Sequence, residues 1–106
     1  MMKLDKFQRE MRKEMLDNLK AKGGEVFSFP EDGLTVVVAP AVGGTLAEFA
    51  HVAVAQCDLK DDEFKRKVGE FVALERWEGG QVLAVPFVYR DNDEMAQAVR
   101  ELILAY

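Results

Sequence analysis

Apolar residues recur every third or fourth position in three stretches of this sequence and cluster densely in four others. Leu4, Phe7, Met11 and Met15 stand three or four apart, with Leu16 and Leu19 widening the stripe. That spacing predicts a helix from about Met2 to Lys22, stopping at Gly23-Gly24. A second helix is predicted from Asp61 or Asp62 to Glu78, between acidic first-turn residues and Gly79-Gly80, with Phe64, Val68 and Phe71 as its core stripe and Val72 and Leu74 on the flanks. A third begins near Asp91, where Glu94 stands like the reciprocal residue of a capping box. It turns Met95, Val99, Leu102 and Ile103 inward, with Tyr106 a further candidate. The dense runs Glu25–Phe29, Leu34–Ala39, Leu46–Gln56 and Gln81–Tyr89 read as strands. Pro30-Glu31-Asp32-Gly33 is a reversing turn, so the first two strands should form a hairpin. Pro86 assigns the last strand to a sheet edge or a bulge. The order α-β-β-β-α-β-α predicts one α+β domain over residues 1–106, a mostly antiparallel sheet packed with helices.

Composition narrows the function classes. With 106 residues, 49% hydrophobic and 31% charged, the chain has material for one modest core and is not disordered by composition. A net charge of −5 argues against a surface that is one continuous phosphate-binding field, while leaving room for a local basic patch. The single cysteine, Cys57, offers no internal disulfide and no multi-cysteine zinc site, so the expected compartment is a reducing cytoplasm. The first residues form a charged amphipathic segment instead of an apolar signal core, and no apolar run reaches membrane-spanning length; no membrane partner is expected.

The catalytic inventory is thin. His51, the only histidine, lies mid-strand six residues before Cys57, about 20 Å away along an extended chain and too far for proton transfer. One histidine and one cysteine with scattered carboxylates have no metal-ligand spacing. Asp58, Asp61, Asp62 and Glu63 lack the glycine and spaced carboxylates of a calcium loop, and helix capping explains them better. Ser28, the sole serine, sits in the hairpin without a base nearby. Gly43-Gly44 is not followed by the lysine of a phosphate loop. The expectation is therefore no enzyme, no catalytic residue, no metal and no cofactor.

One face of the second helix carries a different signal. Opposite the core stripe stand Asp62, Arg66, Gly69, Ala73 and Trp77, with Lys65 and Arg76 at the margin. Glycine inside a helix costs roughly 0.8–1 kcal/mol relative to alanine, so Gly69 needs a compensating use. Two uses are open: another helix of the chain packs on Gly69 and Ala73, with Trp77 covering its end, or Arg66, Gly69, Ala73, Arg76 and Trp77 form an external docking face for a protein partner.

The string Cys57-x3-Asp61-Asp62-x-Phe64-x-Arg66-Lys67-x-Gly69-x3-Ala73-Leu74-x-Arg76 resembles a pattern in short bacteriophage and prophage open reading frames. It covers about 20 of the 106 residues. The resemblance implies a non-enzymatic accessory protein that binds a protein partner stoichiometrically, as a modulator or inhibitor of a host or defence complex, in the host cytoplasm. It brings no catalytic residues. The succession of a helix, three strands and a helix opening on Lys65-Arg66-Lys67 is similar to a double-stranded-RNA-binding domain. That resemblance implies the alternative, nucleic-acid binding through Lys65, Arg66 and Lys67. The departures are the acids Asp61, Asp62 and Glu63 ahead of the basic residues, no Gly-Pro-x-His signature before the third strand, and a further strand and helix.

Overall fold

In the computed structural model, which describes residues 3–40, 49–60, 63–86 and 91–105, the chain runs α1 (Lys6–Ala21), β1 (Glu25–Phe29), β2 (Leu34–Pro40), β3 (Phe49–Gln56), α2 (Arg66–Glu78), β4 (Leu83–Pro86) and α3 (Asn92–Leu104). The α+β class and the order of elements are those expected from the sequence. The strands lie side by side in chain order, each antiparallel to its neighbour. The β1–β2 connection is a 3-10 turn, Pro30–Asp32, closed by Gly33 in the left-handed region at φ 63°. There the Gly33 carbonyl accepts the Cys57 amide at 2.7 Å, and a Cβ at Gly33 would crowd the Cys57 carbonyl, so a side chain would be opposed on both conformational and steric grounds.

Side-chain alternation along β2 and β3 divides the core in two. Val37 and Ala39 of β2, with Ala53 and Ala55 of β3, face Met15 and Leu19 of α1 and Phe71, Ala73 and Leu74 of α2. Leu34, Val36 and Val38, with Ala50 and Val52, face Met95, Ala96 and Val99 of α3. The sheet is thus the middle of three layers, with α1 and α2 on one side and α3 on the other. β2 is buried on both faces, which is why its sequence is an uninterrupted apolar run apart from Thr35. α3 is tied to the hairpin turn by Arg100, which lies over the Phe29 ring and donates from Nε to Asp32 at 2.6 Å.

Helix ends differ from the sequence expectations for identifiable reasons. α1 starts at Lys6 because Asp5 and Gln8 form a reciprocal capping box: the Asp5 carboxylate accepts the Gln8 amide and the Gln8 side chain accepts the Asp5 amide. Phe7 then falls outside the core stripe and is 69% exposed. α2 starts at Arg66, not at Asp61 or Asp62, which lie outside the described residues; Glu63 to Lys65 precede it without helical structure. In α3 the Asp91 carboxylate accepts the Glu94 amide as expected, whereas Leu102 is exposed. β4 is an edge strand with Pro86 at its end, opposite Phe49. The expected strand ends at 46–48 and 87–89, the Gly43-Gly44 loop and Tyr106 lie outside the described residues.

The larger correction concerns the rotation of α2. Its buried residues are Glu70, Phe71, Ala73 and Leu74, while Phe64 and Val68 are only half-buried. Gly69 faces the sheet, and a Cβ added there would overlap Thr35 Oγ1. The element packed on Gly69 is therefore β2, not another helix. Gly69→Val is expected to lower the unfolding free energy by about 1–3 kcal/mol. Thr35→Ala should recover part of that loss in the double variant. Urea denaturation of the four proteins checks this, and an unchanged midpoint for Gly69→Val would mean that the helix stands off the sheet.

Candidate basic cleft between two helix starts

The five residues expected on one docking face are not brought together. Ala73 is 0% exposed and Gly69 lies against Thr35, so the small-residue strip is an internal contact and cannot serve an external partner. Arg76 is exposed, and its guanidinium donates to the Val54 carbonyl at 2.6 Å. β4 pairs with β3 only from Phe49 to Val52, so Arg76 reaches the strand just past the end of that pairing. Trp77 is half-buried against the α1–α2 core cluster, with the Lys22 ammonium 5.3 Å from the centre of its ring. Arg66 projects, with its side chain 75% exposed.

What the sequence reading missed is Glu70. It is 6% exposed, at the seam where α1 and α2 lie side by side. Its Oε1 accepts from Arg12 at 2.9 Å and its Oε2 from Arg66 at 3.2 Å. A carboxylate this deep costs desolvation energy that the Arg12 guanidinium, itself mostly shielded, offsets. Only the Arg66–Glu70 spacing of four residues was visible in sequence; Arg12 lies 58 positions away from Glu70. At the other end of the pair Asn18 donates to Glu78, so α1 and α2 run in the same direction and their N-terminal ends meet.

Between those ends is an open cleft of about 580 Å³. Six of its nine lining residues are cationic: Lys3, Arg9 and Arg12 from the start of the chain, and Lys65, Arg66 and Lys67 from the start of α2. Leu4 and Val68 add apolar wall, and Glu70 is the one carboxylate. Lys65 at the N-cap supplies no side-chain hydrogen bond, and the first amide bonded within the helix is that of Gly69, to the Lys65 carbonyl. The preceding three amides, of Arg66, Lys67 and Val68, have no partner inside the helix and add partial positive charge to the same wall. The residues expected for nucleic-acid contact, Lys65, Arg66 and Lys67, are thus held together and joined by three cations that sequence spacing did not connect to them.

His51 and Cys57 are separated as the strand geometry requires. His51 lines a cleft with Trp77, Lys22 and Pro40, while Cys57 lines another with Asp32 and Asp58. Among the described residues no helix is long and apolar enough to cross a membrane. Comparison with known proteins finds no matching family model and no significant match among curated proteins or solved structures.

Loss of the buried carboxylate should be felt more than loss of its exposed partner. Glu70→Ala is expected to destabilise the fold by about 3 kcal/mol, because Arg12 is left without its partner. Arg66→Ala should cost no more than about 1 kcal/mol. Thermal or urea melts of the two variants check the ordering, and equal losses would contradict the assignment of Arg12 as the principal partner.

Proposed function

We propose that this chain is a non-enzymatic binding module whose basic cleft engages the phosphates of a nucleic acid. The observation that carries this reading is the cleft itself, where six cations are gathered in a protein of net charge −5. Phosphate contacts by lysine and arginine supply most of the sequence-independent affinity for nucleic acid. The placement of the additional elements supports it. α3 packs on the far face of the sheet and β4 lies at its far edge, so neither covers the side that carries α1 and α2. The elements resembling a double-stranded-RNA-binding domain, α1 to α2, thereby keep an open basic end.

A protein partner with an acidic segment is the second reading. It is favoured by Leu4 and Val68, which give the cleft an apolar wall where a side chain could rest between paired charges. The resemblance of the Cys57–Arg76 string to phage accessory proteins fits a stoichiometric binder under either reading. With Gly69 and Ala73 internal, the docking surface in the second reading moves from the five-residue face to the cleft.

Fluorescence anisotropy against labelled single- and double-stranded RNA and DNA at low and near-physiological salt tests the proposal. Saturable binding with a steep salt dependence is expected. The double variant Lys65→Gln/Lys67→Gln should weaken it at least about tenfold and lower the salt slope by about two phosphates' worth of ion release. Absence of binding at low salt, with capture of an acidic peptide instead, would move the assignment to the protein partner.

A further inference from the structure

In the cleft, six of the nine lining residues are cations. On α1, beyond the cleft, exposed Glu10, Glu14 and Asp17 are interleaved with exposed Lys6, Lys13 and Lys20, so the surface is mixed in sign. At the β1–β2 turn the charged residues are Glu31 and Asp32, both held by Arg100, and the charged residues of the neighbouring surface cleft are Asp32, Asp58 and Lys60. A protein that follows the flank of an RNA duplex contacts phosphates and grooves over about 16 base pairs, which needs basic or neutral surface along the whole track. Here a backbone leaving the cleft along α1 or toward the hairpin turn would meet carboxylates among the cations and find no continuous basic track. A local concentration of positive charge bordered by mixed charge suits a ligand whose own charge is compact.

We infer that the cleft takes a run of directly linked phosphates, the chemistry shared by the 5′-triphosphate end of an RNA and a free nucleoside triphosphate, in preference to the spaced phosphodiesters of a nucleic-acid backbone. This narrows the nucleic-acid reading above and rests on it. The cavity and its six cations carry the inference, and their geometry shows how it would work. Glu70 anchors Arg12 through one terminal nitrogen and Arg66 through Nε, so both guanidinium groups are held beside the cleft with further N–H groups to donate. Arginine forks match phosphate oxygens two at a time. Lys3, Lys65 and Lys67 are flexible point charges and Arg9 is a third fork, and together they can close over a polyphosphate from both sides. The three amides at the start of α2 that have no partner inside the helix point in the sense that favours an anion there. No step of chemistry is involved; the site binds.

The test uses the full chain and a short 3′-labelled RNA prepared with either a 5′-triphosphate or a 5′-hydroxyl, read by anisotropy at near-physiological salt. The triphosphate RNA is expected to bind at least about tenfold more tightly, a difference of about 1.4 kcal/mol. Inorganic tripolyphosphate should displace it, while a hexaglutamate peptide at equal concentration should not. Arg9→Gln and Lys67→Gln, both at exposed positions, should each erase most of the preference without shifting the melting temperature. ATP competition distinguishes the sources: affinity equal to that of the triphosphate RNA points to a free nucleotide, and weaker affinity points to the RNA end, either result supporting the linked-phosphate site. Equal binding of the two RNA ends overturns this inference and leaves the nucleic-acid reading standing. Displacement by hexaglutamate as effective as that by tripolyphosphate also overturns it, and failure of both RNAs to bind removes the nucleic-acid reading as well.

Discussion

The close approach of α2 to the sheet at Gly69 is the contact on which the rest of this molecule depends. Gly69 rests on Thr35, and Ala73 continues the contact within the cluster that contains Ala53 and Ala55, so small residues on both surfaces let the helix sit low. Sitting low fixes its rotation. With Gly69 and Ala73 beneath, Glu70 is carried to the side of α2 that meets α1, and its burial demands a cationic partner. Arg12 is that partner, and the pairing sets the two helices side by side with their N-terminal ends together. The conformational penalty of a mid-helix glycine is thereby offset by packing, and the basic cleft is a by-product of the same geometry.

Charge is used in two ways in this fold. Where it is shielded, it locks elements together: Arg12 with Glu70 joins α1 to α2, and Arg100 with Asp32 joins α3 to the hairpin turn. Thr35 Oγ1 and Arg12 Nε are the two buried polar side-chain atoms without a hydrogen-bond partner among the described residues, and both lie at the α2 contact, where tight packing has been favoured over complete pairing. Where charge is exposed, its density differs from place to place. Cations gather at the meeting helix starts, while both signs are interleaved on the outer side of α1. The gathering creates a local potential opposite in sign to the net charge, which steers an anionic ligand to one place.

The outer face assigned to α2 from periodicity illustrates the limit of that method. Phe64, Val68 and Phe71 make a convincing stripe only if the helix begins near Asp61, and with α2 starting at Arg66, Phe64 lies outside it. The remaining residues divide between the sheet below and α1 beside, so two sides of the helix are covered. A helix packed in two directions has no single apolar stripe to read. The mixture of small, charged and aromatic residues at Arg66, Gly69, Glu70, Ala73 and Trp77 is the trace of those two contacts.

Sequence by itself determined the strands, the hairpin turn, the order of elements and the α+β class, because alternation, turn chemistry and helix stops are properties of neighbouring residues. It also determined that Lys65, Arg66 and Lys67 stand together. Which face of α2 is inside was decided only by the tertiary structure, because that depends on Thr35 meeting Gly69 across the fold. The cleft was decided there too: Lys3, Arg9 and Arg12 reach the start of α2 only after β1, β2 and β3 have brought the two helix ends together, and no local pattern records a contact of that range.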